Sequence, residues 1–282
     1  MSNYYNKIVF FLSKLTNKLF NSIYKVKKRL DYEKYILDFG HREDDITIVT
    51  FPKSGTTLTQ LILYQLLTDG NMDFNHIYDV SPWIRNDAFE GISPRKLEGR
   101  RIIKSHDYYS LIPPDFKGKI IYVYRDGMDV AVSQYHQKKN YNNKNLTFDE
   151  HLTAFFSQGP MNWFNFNINW FKNAGGLDIL YLSYEELTQN KENAVKKIVD
   201  FCKIDDNEVD MDRVISKTSF SYMKEHEDKF GDLPPKVTKI YDEFIRKGKS
   251  GEGNDYFDEK QKKFFNTAFK QELEQLKALK IN

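Results

Sequence analysis

The sequence predicts an α/β protein: a single three-layer domain in which a central parallel sheet is flanked by helices. Three observations carry this reading. Four short apolar runs of strand character, at 46–51, 101–104, 119–124 and 178–182, alternate with segments of helical periodicity. A turn holding glycine, lysine and hydroxyls joins the first run to a helix. Finally, Lys53–Thr57, Lys104–His106 and Arg125–Ser133 all lie at carboxyl ends of these runs, where parallel sheets bind ligands.

With 282 residues the chain is long enough for one large domain, and 40% hydrophobic with 15% aromatic residues excludes a disordered protein. A lone cysteine, Cys202, excludes a disulfide framework and a cysteine-rich metal site. It falls in a helical pattern as a small buried thiol and fits a reducing, cytoplasmic setting. The net charge is +2, yet residues 1–30 alone carry seven lysines and arginines and no acidic side chain. That is a near-neutral enzyme with a basic arm, not a nucleic-acid-binding domain. The expected organisation is a basic amphipathic helical arm at 1–40 and one domain at 41–282, without repeats or linkers.

In the arm, Ile8, Phe11, Leu12, Leu15, Leu19, Ile23, Val26 and Leu30 recur at three- and four-residue steps. Its longest apolar run, Ile8 to Leu12, is too short to span a bilayer, and the sequence has no signal-peptide core. Two readings stand. Either the helix packs on the domain with its lysines in water, or residues 1–30 make peripheral membrane contact as an interfacial helix on anionic lipid.

The strand-like run Ile46–Thr50 leads into Phe51-Pro52-Lys53-Ser54-Gly55-Thr56-Thr57, and a helical run, 56–68, follows. Strand, glycine turn and helix N-terminus make an anion cradle, with Lys53 adding charge and Ser54, Thr56 and Thr57 adding hydroxyls. An ordinary turn with Ser54 or Thr56 as helix cap would give the same local pattern. The order is not that of an ATPase loop, because Lys53 precedes Gly55 rather than following it. Residues 70–98 lack clear periodicity and form a long connection or part of an acceptor pocket. In Arg101–His106, strand alternation delivers Lys104 and His106 to one side. The run 119–124 ends at Arg125, and the helix after it, 127–138, sets Ser133 about two turns away. An arginine fork and a hydroxyl suit a phosphate monoester; Arg125 paired with Asp126 or Asp129 is the plainer alternative. The Asn-rich stretch 138–145 reads as a mobile surface loop. Helices are expected at 148–157, 161–173, 191–202, 206–217 and 258–279.

The Pro52–Thr57 string closely resembles the 5′-phosphosulfate loop of cytosolic-type sulfotransferases, which use 3′-phosphoadenosine 5′-phosphosulfate (PAPS). Lys104-Ser105-His106 resembles their K-T-H segment, and the block at Arg125–Ser133 resembles their 3′-phosphate motif. Three further stretches follow in the family's order: Tyr181–Glu186, Thr218–Met223 and Arg246–Gly251. The resemblance spans 51–251 and implies a P-loop-like fold and sulfonate transfer from PAPS to a hydroxyl or amine, releasing PAP, with no metal. It implies His106 as general base, with Lys53, Lys104 and Ser133 also catalytic. The nucleotide would be held by Lys53, Ser54, Gly55, Thr56, Thr57, Leu58, Arg125, Ser133, Tyr184, Thr218, Phe220, Arg246, Lys247 and Gly248. The sequence departs from the family at Leu58, where a tryptophan usually stacks on adenine. After Gly251 it reads Glu252-Gly253-Asn254, without the usual Asp-Trp-Lys, and the family's dimer-contact pattern is absent, so the oligomeric state stays open. The acceptor is a small molecule: a phenol, alcohol, amine, lipid or sugar. A nucleotide kinase on a related loop, or a PAP-binding protein without turnover, are the rival readings.

Overall fold

The computed structural model describes residues 2–141, 144–157, 162–173, 175–231 and 243–268, with 270 and 274. Along the chain, α1 (Ser2–Phe39) precedes β1 (Ile46–Thr50), α2 (Thr56–Leu67) and α3 (Ile84–Glu90). Then come β2 (Ile102–Ser105), β3 (Lys119–Tyr124), α4 (Gly127–Tyr141), α5 (Phe148–Phe156) and α6 (Trp163–Asn173). β4 (Asp178–Ser183) leads to α7 (Tyr184–Gln189), α8 (Lys191–Cys202), α9 (Met211–Lys217) and α10 (Phe220–Glu225), and α11 (Gly253–Tyr256) and α12 (Glu259–Ala268) follow. The chain divides into two compact units, Met1–Gly40 with Trp83–Lys96, and His41–Pro82 with Leu97–Asn282.

In the smaller unit α1 packs on α3. Tyr32, Tyr35 and Phe39 are its buried side chains, and the Tyr35 hydroxyl lies 3.4 Å from an Asp87 carboxylate oxygen. The irregular stretch 70–98 thus contains a 3₁₀ turn, Ile77–Asp79, and one α-helix, α3, too short for its periodicity to stand out.

The larger unit holds the sheet, ordered β2-β1-β3-β4 with every neighbouring pair parallel. Its central strands are apolar because both faces are covered: all of β1 and most of β3 are buried, as is the edge strand β2. Register places the carboxyl ends level. Val49 pairs with Ser105, Thr50 with Val123, and Tyr124 with Ser183. The loops after the four strands therefore open on one side. Beneath them lies an aromatic core of Tyr122, Phe155, Trp163, Phe164, Phe166 and Trp170. The Tyr122 hydroxyl donates to Asn167 Oδ1 at 2.7 Å, and burial pushes the phenol's pKa well above its ordinary value.

Asp45 and Arg101 clamp the amino ends of β1 and β2. The buried guanidinium donates from Nε and Nη2 to the two carboxylate oxygens, both at 2.7 Å. Although burial opposes ionisation, bonds from His41, Arg101 and the Arg42 N–H hold the Asp45 carboxyl at about 2.

Two expectations shift. The stretch 138–145 does not begin as a loop: α4 continues through Tyr141, its last turn carrying Lys138 and Lys139 at the negative end of the helix dipole. Residues 142 and 143 lie outside the described residues. The helix expected at 206–217 is a 3₁₀ turn, Asp206–Glu208, followed by α9, because Asp210 caps a new start by accepting from the Arg213 N–H. Of the helix expected at 258–279, α12 is described to Ala268, and most of the remainder lies outside the described residues.

Because Asp45 and Arg101 are buried together, Asp45→Ala should lose about 3–5 kcal/mol in chemical denaturation. Since the folded carboxyl titrates near 2, below its unfolded value near 3.9, the pair's contribution is complete above about pH 4 and is lost as pH falls through about 2.

Candidate active site

The turn after β1 is built for backbone approach. Lys53 and Gly55 both take left-handed φ, 72° and 100°. Gly55 caps α2 with no side-chain cap bond, so neither Ser54 nor Thr56 acts as the ordinary cap, and the first N–H groups of α2 face the turn. A Cβ on Gly55 would lie 2.7 Å from Tyr184 Cδ2. Only glycine fits both the backbone and the tyrosine. Thr56 Oγ1 is 2.6 Å from Thr50 Oγ1, fastening the helix start to the strand. Ser54 is buried and its hydroxyl lacks a hydrogen-bond partner among the described residues.

At the end of β2, His106 Nδ1 lies 2.7 Å from the Thr50 carbonyl oxygen. A carbonyl can only accept, so in the neutral ring Nδ1 carries the proton and Nε2 the lone pair. Lys104 is buried, donates to the Tyr78 hydroxyl at 2.5 Å, and sits 4.6 Å from that ring's centroid.

Arg125 ties the loops together. Its guanidinium donates to the Lys53 carbonyl and to the Lys249 carbonyl, each at 3.0 Å, and lies 4.2 Å from the Tyr184 ring centroid. Its Nε is buried without a hydrogen-bond partner among the described residues. Asp129 lies 3.9 Å from Arg125 and accepts from the Gly251 and Gly253 N–H groups at 2.7 Å each, so its main work is to pin the 246–253 loop. In that loop Glu252 pairs with Arg246 and, at 2.7 Å, with Lys247. Burial opposes ionisation of Glu252, but these two cations hold its carboxyl down at about 2. Gly248, with φ 60°, lies against Phe220: a Cβ there would approach the ring to 2.5 Å.

One cavity of about 240 Å³ is lined by Lys53, Gly55, Thr56, Thr57, Leu58, Lys104, His106, Arg125, Ser133, Tyr184, Thr218, Phe220, Arg246, Lys247 and Gly248. Every site residue expected from the sequence is there except Ser54, which is buried beside the wall's Lys53 and Gly55 and does not line the cavity. Leu58 is on the wall as the sequence states, and the aromatic members are Tyr184, Phe220 and Phe244. Lys53 Nζ sits 4.7 Å from the Phe244 ring centroid. A small adjoining cleft is shared by Lys53, Ser133, Phe244 and Arg246. Sequence reasoning missed Lys191, Gln137, Thr188 and Glu252 on the cavity wall. Lys191 opens α8 and donates to the Thr218 carbonyl, and burial lowers its ammonium to about 8. No spacing marks it, because it reaches the site only through the fold. Met223, Phe244 and Ile245 also line the cavity and lie within or beside the recognised motifs. Among the described residues no group of His, Cys, Asp and Glu could hold a metal.

The fold and this cavity define an α/β protein with two glycine-turned basic loops, at Lys53–Thr57 and Arg246–Gly248, on one cavity wall. The sulfotransferase domain family matches residues 43–277. Mouse sulfotransferase 1B1 is 34% identical over 86% of this chain and 87% of its own length, and the dog sulfotransferase 1B1 is 32% identical over 84% and 86%. Among solved structures, a mouse sulfotransferase, SULT7A1, complexed with PAP superposes with TM-score 0.65 at 28% identity, covering 85% of this chain and 88% of that one. The chain belongs to the sulfotransferase family and is an enzyme of the PAPS-dependent, cytosolic type acting on a small-molecule acceptor; the kinase reading falls away.

Gly55→Ala should cost about 1–2 kcal/mol from the left-handed backbone alone, with a further loss from the clash with Tyr184, read by urea denaturation. Lys191 has a second consequence. Its folded pKa of about 8 is below the unfolded value near 10.4, so folding penalises its protonation: stability is withheld below pH 8 and regained as pH rises toward 10.4. Lys191→Met should therefore gain melting temperature on the wild type as pH falls from about 10.4 to 8, in paired thermal melts.

Proposed function

We propose the following division of labour for sulfonate transfer. PAPS supplies an activated sulfonate whose leaving group is the 5′-phosphate of PAP. The orphaned Arg125 Nε and the tight Gly55 and Gly248 approaches fit a phosphate-rich ligand held close to backbone. Lys53, Ser54, Gly55, Thr56 and Thr57 hold the 5′ end, with Ser54 acting from beneath the loop rather than from the wall. Arg125, Ser133, Arg246, Lys247 and the Gly248 N–H hold the 3′-phosphate. Leu58, Tyr184, Thr218 and Phe220 hold the nucleoside. His106 accepts the proton of the attacking hydroxyl or amine at Nε2, the nitrogen left with a lone pair by the Thr50 carbonyl. Lys53 and Lys104 stabilise charge growing on the bridging and sulfonyl oxygens, and Ser133 steers Lys53. The observation that carries the reading is one cavity collecting residues from 53 to 248 in the roles the motifs suggest.

The acceptor in this reading is a phenol, alcohol, amine, lipid or sugar. The family match at 43–277 supports 41–282 as the catalytic domain and 1–40 as an appended arm. The enzyme works in the cytoplasm with residues 1–30 in peripheral membrane contact. Cys202 is buried, with its thiol raised to about 11 chiefly by that burial, and among the described residues no helix is long and apolar enough to cross a membrane.

His106→Ala should lower turnover of labelled PAPS by about 10²–10⁴-fold while PAP affinity by calorimetry stays within about threefold, as expected of a base that acts on the acceptor rather than the nucleotide. Wild-type protein that fails to bind PAP would overturn the assignment of roles.

A further inference from the structure

Helix α1 lies outside the sulfotransferase match, and the reaction uses none of it. It is apolar on two faces. Tyr32, Tyr35 and Phe39 form one, buried against α3, where the Arg85 guanidinium sits 5.7 Å from the Tyr32 ring centroid. Leu12, Leu15, Leu19, Ile23, Val26 and Leu30 form the other, each 51–61% exposed, while Phe10, Phe20 and Tyr24 are exposed outside this band. At 3.6 residues per turn these six fall in a band roughly 80° wide on the side opposite the first face, about 27 Å long. Leu37, 81% exposed, extends it. An apolar face this long and this open is a docking surface rather than scattered surface hydrophobics.

Charge tells what docks. Lys14, Lys18, Lys25 and Arg29 fall within about 60° of one another, in a row that begins roughly 40° beyond one edge of the band. Lys14, Lys18 and Lys25 are exposed, while Lys27 and Arg29 pair with Asp31 and Glu33 at 2.6 and 2.7 Å and Lys28 is drawn onto the Phe89 carbonyl. The first acidic residue is Asp31, one position before the buried Tyr32. The polarity of the helix thus changes where its packing changes. Residues 1–30 offer a second copy of α1 no acidic side chain to meet their cations, whereas an anionic lipid surface neutralises them and receives the apolar face.

We propose that residues 10–30 of α1 lie flat on an anionic lipid surface, with the Leu12–Leu30 face in the acyl boundary and Lys14, Lys18 and Lys25 at the headgroups. This deepens the membrane contact of the reading above, yet rests on the exposed face and not on the catalytic roles. The test is flotation of the full-length protein with phosphatidylcholine vesicles, with and without phosphatidylglycerol. The wild type should float only with the anionic vesicles. Leu19→Glu/Ile23→Glu and Lys18→Glu/Lys25→Glu should each lower vesicle partition at least about tenfold, with circular dichroism unchanged. No flotation of the wild type overturns the proposal, as does undiminished flotation of both variants. A lipid-free dimer dissolved by Leu19→Glu/Ile23→Glu overturns it too, in favour of self-association. Protein that floats but does not bind PAP leaves this inference standing and sinks the catalytic assignment instead.

Discussion

The site depends on what the Arg125 guanidinium holds. It is nearly buried, and it spends hydrogen bonds on two carbonyls separated by almost two hundred residues, those of Lys53 and Lys249. Stacked on Tyr184, it also fixes the ring against which Gly55 turns. The loops that carry Lys53 and Lys249 are thereby set relative to each other by one planar group, whose fork is stiff and whose charge is permanent. Lysine could supply the charge but could not span both carbonyls with fixed geometry. Asp129 works from the other side, accepting from the N–H groups of Gly251 and Gly253.

Much of this was legible in the sequence, for identifiable reasons. Strands buried on both faces read as continuous apolar runs, so 119–124 was placed to the residue and 46–51 within one. Lys53–Leu58, His106, Arg125 and Tyr184 lie directly after strands, and position along the chain then implies position in space. Legibility failed where a role depends on distant partners. Lys191 looks like any lysine at a helix start until Thr218 is brought beside it. Glu252 looks like a solvated loop acid until Arg246 and Lys247 close on it. Tyr78 lies in an aperiodic stretch and meets Lys104 only through the tertiary fold. Local pattern also hides how deeply Ser54 sits. A hydroxyl in a glycine turn reads as exposed, whereas tight turning buries it without a hydrogen-bond partner among the described residues.

The two units divide the chemistry of the chain unevenly. The larger carries the sheet, the aromatic core and every residue of the cavity. The smaller carries the surplus of positive charge, in a helix whose inner face is satisfied by α3. A chain of net charge +2 can thus hold a strongly basic element without making the catalytic unit basic overall.

Glu252 gives the proposed 3′-phosphate clamp an unusual character. Arg246 and Lys247 are not bare cations waiting in water; they already share a carboxylate. An arriving dianion would exchange with that carboxylate rather than simply neutralise a positive patch. Ion exchange within the protein releases fewer counterions to solution than neutralisation does, so affinity at this end of the site should respond only weakly to ionic strength. The same exchange run backward offers the departing nucleotide a ready replacement at each cation, so the clamp need not pass through a state of unpaired charge when product leaves.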